Sequence, residues 1–175
     1  GNYPYAELDE VLALAAAQEQ APWVLLLDSL QDPQNLGTLI RTAEVVGLHG
    51  LVIPDRRAAS VTPAVVSASS GATEHMLVVQ ITNMVRTMKQ LKEHDLWIAG
   101  LEDVPEAQVL WQADLRGGLG LVVGSEGGGM RRLVKETCDF MVRLPMHGQI
   151  GSLNAAVAGS VALYEAARQR QIEDK

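Results

Sequence analysis

The sequence has few of the residues that build disulfide scaffolds or metal centres. It contains one cysteine, Cys138, so neither a disulfide framework nor a cysteine-based zinc site can form within one chain. The four histidines are scattered without a metal-ligand spacing, and we therefore expect no metal. No apolar run reaches membrane-spanning length, and no signal peptide is visible. We expect a protein of the reducing cytoplasm, with no membrane partner.

Positive charge is also scarce. Lys and Arg number 14 against 21 Asp and Glu, which gives a formal net charge of −7. This balance argues against a broad, non-specific nucleic-acid surface but allows a local basic site. We interpret the doublets Arg56 with Arg57 and Arg131 with Arg132 as solvated surface, whereas Arg41 lies in an otherwise apolar segment.

Aliphatic residues and glycine are abundant. The hydrophobic fraction is 47%, aromatics are only 4%, and there are 16 glycines, which is typical of a globular α/β protein. Apolar runs of strand length cover residues 23–28, 50–53, 76–81, 96–101, 119–123 and 140–144. Helical patterns lie between most of these runs. The alternation predicts a mostly parallel sheet with helices on both faces.

The first part of the chain differs from the rest. Residues 7–20 are rich in Ala, Leu and Glu and predict a helix that ends at Ala21 and Pro22. We predict that residues 1–21 form an N-terminal lead with a linker helix and that residues 22–175 form the main domain. The first residue is Gly rather than Met, so we expect that an N-terminal part is absent.

The stretch 144–166 joins a glycine-bearing loop to a helix of small residues. Ser152 and Asn154 are both good N-caps, so the helix should begin near one of them. The helix is apolar or small nearly all round until Glu165, which predicts burial on every side, against this chain or a partner. Its free N–H groups could face a ligand, although a capped core helix is the plainer interpretation.

A second glycine loop, GSEGGGM at residues 124–130, follows the fifth apolar run. It lacks the Gly-Lys-Ser/Thr of a Walker motif. It also has Arg132 where the dinucleotide fingerprint needs a small residue, and Val123 where a nucleophile elbow needs Gly. A doubly wound nucleotide-binding or hydrolase domain is thus disfavoured. Such a backbone passes close to a ligand, and Glu126 within it is either exposed and inert or positioned for chemistry.

Ligands of parallel sheets bind at the carboxyl ends of strands, and three segments with unusual chemistry leave such ends. In order and spacing they resemble the signature motifs of the SpoU (TrmH-type) RNA ribose 2′-O-methyltransferases. The first motif is matched by Asn35, Gly37, Arg41, Ala43 and Gly47, the second by 121–127, Gly129 and Met130, and the third by 144–146 and 152–154. The resemblance runs from about Trp23 to Arg170.

The resemblance implies transfer of a methyl group from S-adenosylmethionine to a ribose 2′-hydroxyl of RNA. The lead and the segment 138–146 look most like the subgroup that methylates a guanosine in 23S ribosomal RNA. That subgroup usually carries a small N-terminal RNA-binding domain, which is missing here, so residues 22–175 would be the catalytic domain. A tRNA 2′-O-methyltransferase, or a non-catalytic module of the same fold that binds RNA or adenosylmethionine, is the alternative.

The resemblance also implies a fold and a set of site residues. The fold has a deep trefoil knot at the C-terminus, a topology that general rules of chain connection would reject. The residues that match catalytic or site-ordering positions are Asn35, Arg41, Glu126, Ser152 and Asn154. The residues whose backbone would hold the cofactor are Gly124, Leu144, Met146 and Leu153, with Gly148 nearby.

Arg41 matches the arginine that activates the substrate. Arginine normally stays protonated, so electrostatic lowering of the pKa of the hydroxyl is physically easier than a literal general-base role. The helix that carries Arg41 and the helix at 153–166 are both largely apolar, and an exposed apolar strip is a liability in a monomer. We therefore expect a homodimer in which Arg41 of one subunit lies close to the knot of the other.

Overall fold

The computed structural model describes residues 2–170 and contains one seven-stranded sheet in which every pairing is parallel. The strands are β1 (Trp23–Leu27), β2 (Gly50–Pro54), β3 (Val78–Ile81), β4 (Trp97–Leu101), β5 (Gln108–Val109), β6 (Leu119–Val123) and β7 (Phe140–Arg143). Their order across the sheet is β3-β2-β1-β6-β4-β7-β5. The helices are α1 (Leu8–Ala17), α2 (Pro33–Val45), α3 (Pro63–Ala68), α4 (Met84–Glu93), α5 (Arg132–Thr137) and α6 (Ala155–Gln169).

The predicted parallel sheet with helices on both faces is confirmed. All of the predicted strands are present, and the two-residue edge strand β5 is the addition. It pairs only with β7 and contains no apolar run that could have marked it in the sequence. The trefoil knot stays a prediction, with which the observed strand order is compatible.

The central strands are buried on both faces. Every residue of β1, β2 and β6 is buried, which explains why these strands are continuous apolar runs rather than alternating ones. Within β1, Leu25 and Leu27 belong to the core that includes α2 and α6, whereas Val24 and Leu26 belong to the core that includes α4. The sheet therefore separates two hydrophobic cores, and each helical layer closes one of them.

Helix α2 begins earlier than its hydrophobic pattern indicates. The Asp32 carboxylate caps it by accepting the backbone N–H groups of Gln34 at 2.7 Å and Asn35 at 3.2 Å, and Pro33 occupies the first turn. Asn35 thus lies in the first turn of a helix that starts from the carboxyl edge of the sheet. This early start brings Asn35 close to the loops that follow the other strands.

Helix α6 packs against α2 through small residues. Of the two predicted caps, Ser152 and Asn154, the N-cap is Asn154, whose side chain accepts the N–H groups of Ala156 and Val157. Thr42 of α2 and Ser160 of α6 share a hydrogen bond of 2.8 Å. The expectation of burial on every side is wrong within the single chain, because Tyr164 stays 56% exposed.

The N-terminal lead packs on the sheet. Ala6 donates its N–H to the carbonyl of Val78 at 2.8 Å, and Val11 and Ala15 of α1 are fully buried. The Tyr3 hydroxyl donates to the Thr73 carbonyl at 3.0 Å. The lead is therefore part of the folded body, and the domain division at residue 21 stays a prediction. In the part of the chain that the structure describes, no helix is long and apolar enough to cross a bilayer.

Candidate functional site

A cleft of about 500 Å³ opens at the carboxyl ends of β4, β6 and β7. Its walls are three loops: the residues just after β4, the glycine loop 124–129, and the stretch 144–155 that leads into α6. The lining mixes the bare backbone of the glycine loop with the side chains of Leu144, Met146 and Leu153. A cleft of this size that combines apolar side chains with convergent polar groups is typical of a small-molecule site.

The cleft collects most of the residues proposed from the sequence. The predicted residues that line it are Gly124, Glu126, Leu144, Met146, Ser152, Leu153 and Asn154. Asn35, Arg41 and Gly148 are outside the lining. Gly148 lies in an exposed part of the loop, and its contact with a cofactor stays a prediction.

A chain of side-chain hydrogen bonds joins the three motifs at the cleft. Asn154 donates from Nδ2 to Oδ1 of Asn35 at 3.0 Å, and Asn35 donates from Nδ2 to Oε1 of Glu126 at 3.1 Å. The cap of α6 determines which side chain donates in each of these hydrogen bonds, because Oδ1 of Asn154 already accepts two backbone N–H groups. The Glu126 carboxylate is consequently the terminal acceptor.

Arg41 lies away from this chain of bonds. It follows Asn35 by six residues on α2, so the two side chains leave the helix about 120° apart around its axis. The Arg41 side chain is exposed, and its Nη1 donates to the Ser70 hydroxyl at 3.2 Å. Within one subunit Arg41 therefore contacts the end of α3 rather than the cleft that holds Ser152.

Two carboxylates that the sequence did not single out anchor the glycine loop. Asp28, fully buried at the end of β1, accepts the backbone N–H of Arg131 at 2.8 Å and its Nε at 2.9 Å. Glu102, just after β4, accepts the N–H of Met130 at 2.8 Å and pairs with Lys135. The interpretation of Arg131 as plain solvated surface is wrong, and the acidic residue directly after an apolar strand was the available signal.

The glycine loop is a tight turn. Ser125 and Gly129 exchange backbone hydrogen bonds of 3.0 and 3.1 Å, and Gly129 has a φ of 69°, a conformation that favours glycine. A Cβ at Gly124 would collide with the backbone of Gly129 and Met130. Gly124 thus allows the turn to close on itself, and a larger residue there would disturb the loop as well as the cleft.

Two other side chains, both outside the cleft, have pKa values that burial shifts. Burial, together with the nearby Arg170 cation, lowers the pKa of His49 to about 4, and its Nδ1 accepts the Trp23 N–H at 3.1 Å. Burial raises the pKa of the Cys138 thiol to about 12, which makes it a poor nucleophile at neutral pH. Among residues 2–170, no group of three or more His, Cys, Asp or Glu side chains is arranged to hold a metal ion.

The sequence matches the SpoU rRNA Methylase family over residues 22–164, a span that includes every segment of the cleft. The chain belongs to this family. A Bacillus subtilis (strain 168) relative, YacO, which is assigned to the TrmH family of tRNA/rRNA methyltransferases, is 48% identical over 168 residues. That alignment covers 96% of this chain and 67% of the relative. The methyltransferase class expected from the three motifs is confirmed.

Solved structures of SpoU enzymes have the same fold. The SpoU methyltransferase AviRb from Streptomyces viridochromogenes, solved in complex with AdoMet, superposes with a TM-score of 0.83 at 28% identity. The match covers 95% of this chain and 65% of AviRb. An RNA 2′-O ribose methyltransferase superposes with a TM-score of 0.76 at 30% identity over 87% of this chain and 58% of that one. The chain therefore spans about two thirds of the length of its relatives.

Proposed function

We propose that this chain transfers the methyl group of S-adenosylmethionine to the 2′-hydroxyl of a ribose in RNA, and that the substrate is a guanosine of 23S ribosomal RNA. The observation that carries the proposal is the hydrogen-bonded chain from Asn154 through Asn35 to Glu126, which unites three SpoU motifs at one cleft. AviRb with its AdoMet supports the cofactor, and the 2′-O ribose enzyme supports the acceptor. An RNA substrate also favours a cytoplasmic location.

The residues of the cleft fit this cofactor. Backbone groups of Gly124, Leu144, Met146 and Leu153 would hold it, and the apolar side chains of the last three would cover its uncharged parts. When bound, S-adenosylmethionine supplies an electrophilic methyl group on a sulfonium. Recognition through backbone groups agrees with a glycine loop whose C-terminal end is held by two carboxylates.

The polar residues would align and activate the ribose. Ser152 and Glu126 line the cleft and could position the 2′-hydroxyl, while Asn35 and Asn154 hold Glu126 in place. Arg41 would lower the pKa of the hydroxyl through its positive charge, either directly or through a neighbouring phosphate. Since a guanidinium stays protonated at neutral pH, we assign it charge stabilisation rather than removal of the proton.

We further propose that Arg41 serves the cleft of a second copy. Large apolar side chains are exposed along α2, α6 and the turn beside them, namely Val45 at 59%, Trp111 at 50%, Val157 at 47% and Tyr164 at 56%. Trp111 and Tyr164 line one groove, and exposed apolar side chains on helices that pack together are typical of a protein–protein contact. A homodimer joined through these helices would cover these side chains and bring Arg41 toward the partner's cleft.

The experiment that tests the function is methyl transfer to defined RNA. The protein is incubated with methyl-labelled S-adenosylmethionine and unmodified transcripts of 23S ribosomal RNA or tRNA, and 2′-O-methylated positions are mapped. We expect one labelled guanosine in the ribosomal RNA. Low ionic strength is used because the net charge of −7 weakens binding to phosphates.

The matched variant is Glu126→Gln, which keeps the shape of the side chain but removes its charge. We expect its turnover to fall by about 100-fold, in the range seen when one polar group of a preorganised site is lost. Its affinity for S-adenosylmethionine, measured by calorimetry, should change little. Label in tRNA alone would favour the tRNA enzyme, and cofactor binding without any turnover would favour the non-catalytic module.

A further inference from the structure

A second groove, with a volume of about 960 Å³, lies between α4 and α5. These helices cover the face of the sheet that α2 and α6 do not cover. Both helices contribute to the core that lies away from α6. The cationic side chains that line the groove are Arg86, Lys89, Arg131 and Arg132. Glu93 is the acidic side chain among the lining residues. Apart from the bonds of Arg131 to Asp28, none of the roles assigned above uses this surface.

Two of the four positive charges that line the groove have no ion-pair partner among the described residues, and the other two belong to side chains that stay exposed. Neither Arg86 nor Lys89 forms an ion pair with any residue in the range 2–170. Arg131 is anchored by Asp28, yet 57% of its side chain is exposed. Arg132 pairs at 3.3 Å with Glu136 across one helical turn, and an exposed pair of this kind contributes little. The groove therefore concentrates positive charge on a chain whose formal net charge is −7.

The groove and the cleft open at the same edge of the sheet. Arg131 follows directly on Met130, the last residue of the glycine loop, and its side chain reaches Asp28 at the carboxyl end of β1. Thr82, another lining residue, directly follows the carboxyl end of β3. A polyanion that crosses this edge would contact the cationic groove on one side and approach the catalytic cleft on the other.

We propose that the groove between α4 and α5 binds the sugar–phosphate backbone of the substrate RNA beside the nucleotide that is methylated. The proposal rests on the proposed function, because it takes RNA as the substrate. Arginine forks and a lysine point charge are the groups that recognise phosphates, and such contacts position a strand without reading its sequence. Continuity with the cleft favours RNA over an acidic protein, which would have no reason to approach the glycine loop.

The test removes two charges that make no ion pair in the described chain. The double variant Arg86→Gln with Lys89→Gln alters the groove without touching the anchors of the glycine loop. The matched control is Lys92→Gln with Arg116→Gln, which also removes two charges but lies near the starts of β4 and β6, at the amino edge of the sheet. Arg116 forms an exposed ion pair of small energetic value with Asp114, whereas Lys92 forms a partly buried ion pair with Asp139.

The readout is the affinity of the whole chain for fluorescently labelled single-stranded RNA, measured by anisotropy between about 50 and 200 mM salt. We expect the groove variant to bind about tenfold more weakly, with the slope of log affinity against log salt reduced by about 1.4, for two lost phosphate contacts. The loss should be equal for oligouridine and for a mixed sequence, since backbone contacts carry no sequence information. The control should lose less than about twofold on the same scale.

Three results would overturn the proposal: equal losses in both double variants, an unchanged salt slope in the groove variant, or displacement of RNA by polyglutamate as effectively as by unlabelled RNA. Calorimetry with S-adenosylmethionine separates this outcome from that of the proposed function. Cofactor affinity should be the same in wild type and groove variant, because neither Arg86 nor Lys89 lines the cleft. A wild-type chain that binds RNA through the groove but takes no cofactor would refute the function and leave the groove assignment standing.

Discussion

Arg131 and Arg132 are adjacent and cannot be told apart in the sequence, but they have different neighbours in the fold. Arg131 neutralises the buried carboxylate of Asp28, whereas Arg132 meets exposed Glu136. Replacing Arg131 by Gln should lower the free energy of unfolding by about 2 kcal/mol, because it leaves a buried charge without its counter-ion. The same change at Arg132 should cost about 0.5 kcal/mol or less, as for other exposed pairs one helical turn apart.

Urea unfolding of the two variants checks this difference. Equal midpoints for Arg131→Gln and Arg132→Gln would show that the ion pair with Asp28 contributes no more to stability than the exposed pair with Glu136. The arginine side chains alone could not have separated the two positions before the structure, since both occur in one polar doublet. The two positions differ because Asp28 lies at the end of β1 and the residue that follows the glycine loop, Arg131, lies beside it.

His49 makes stability dependent on pH. Its pKa falls from the ordinary 6.5 to about 4 in the fold, so the unfolded chain takes up a proton first as the pH drops. The free energy of unfolding should therefore decrease by about 2 kcal/mol between about pH 6.5 and 4.5 from this residue. The His49→Asn variant should be less stable at neutral pH. Its free energy of unfolding should also lack this decrease between about pH 6.5 and 4.5. Identical slopes in denaturant titrations of both proteins would contradict the assignment.

At the scale of elements, α6 shows what a sequence pattern can and cannot specify. Its pattern predicted a helix capped by Ser152 or Asn154, and Asn154 is the cap, since capping is a local property. The pattern could not show which face this chain covers. Within residues 2–170 the buried face includes Ala162 and Leu163, while Tyr164 stays exposed. The side that faces outward is a property of how α6 meets α2, which is not encoded locally.

The exposed face of α6 gives a test of assembly. Tyr164→Glu places a charge on the apolar surface proposed to join two copies, so we expect sedimentation to give the mass of a monomer and methyl transfer to be lost. Ser160 is a poorer choice, because its hydroxyl bonds to Thr42 within the chain. Trp97→Glu is the control, since Trp97 is 63% exposed at the amino edge of the sheet and belongs to β4, an element that the proposed contact does not use. A dimeric Tyr164→Glu protein would exclude this surface as the contact.

At the scale of the whole molecule, a shared site predicts complementation between inactive chains. Arg41→Ala and Ser152→Ala subunits are mixed, partially denatured and refolded together. About half of the dimers should be mixed, and each mixed dimer regains one intact cleft, so activity should recover to about a quarter of the wild-type level. Activity that stays at the level of the separate variants would mean that both residues serve the same subunit's cleft or are dispensable.

The overall architecture was only partly accessible from the sequence. Strand and helix alternation indicated a parallel sheet, because each element carries its own periodicity. The order of the strands was not indicated, since β1 pairs with β6 across a long stretch of chain and no local pattern encodes that partner. The hydrogen bond from Asn35 to Glu126 also joins residues that are far apart in the sequence, so no local pattern encodes it. The resemblance to SpoU enzymes named both residues without predicting their contact.

The position of β1 between β2 and β6 has a consequence for synthesis on the ribosome. Leu25 pairs with Leu51 on one side but with Leu121 on the other, so half of the central strand's backbone groups stay unpaired until the second half of the chain emerges. Helix α2 can pack against α6 only later, because α6 is synthesised after β6. Folding is therefore late and dominated by distant contacts, which makes it slow. A nascent chain that stalls before residue 119 would expose an open strand edge, the feature that leads to aggregation or engages chaperones.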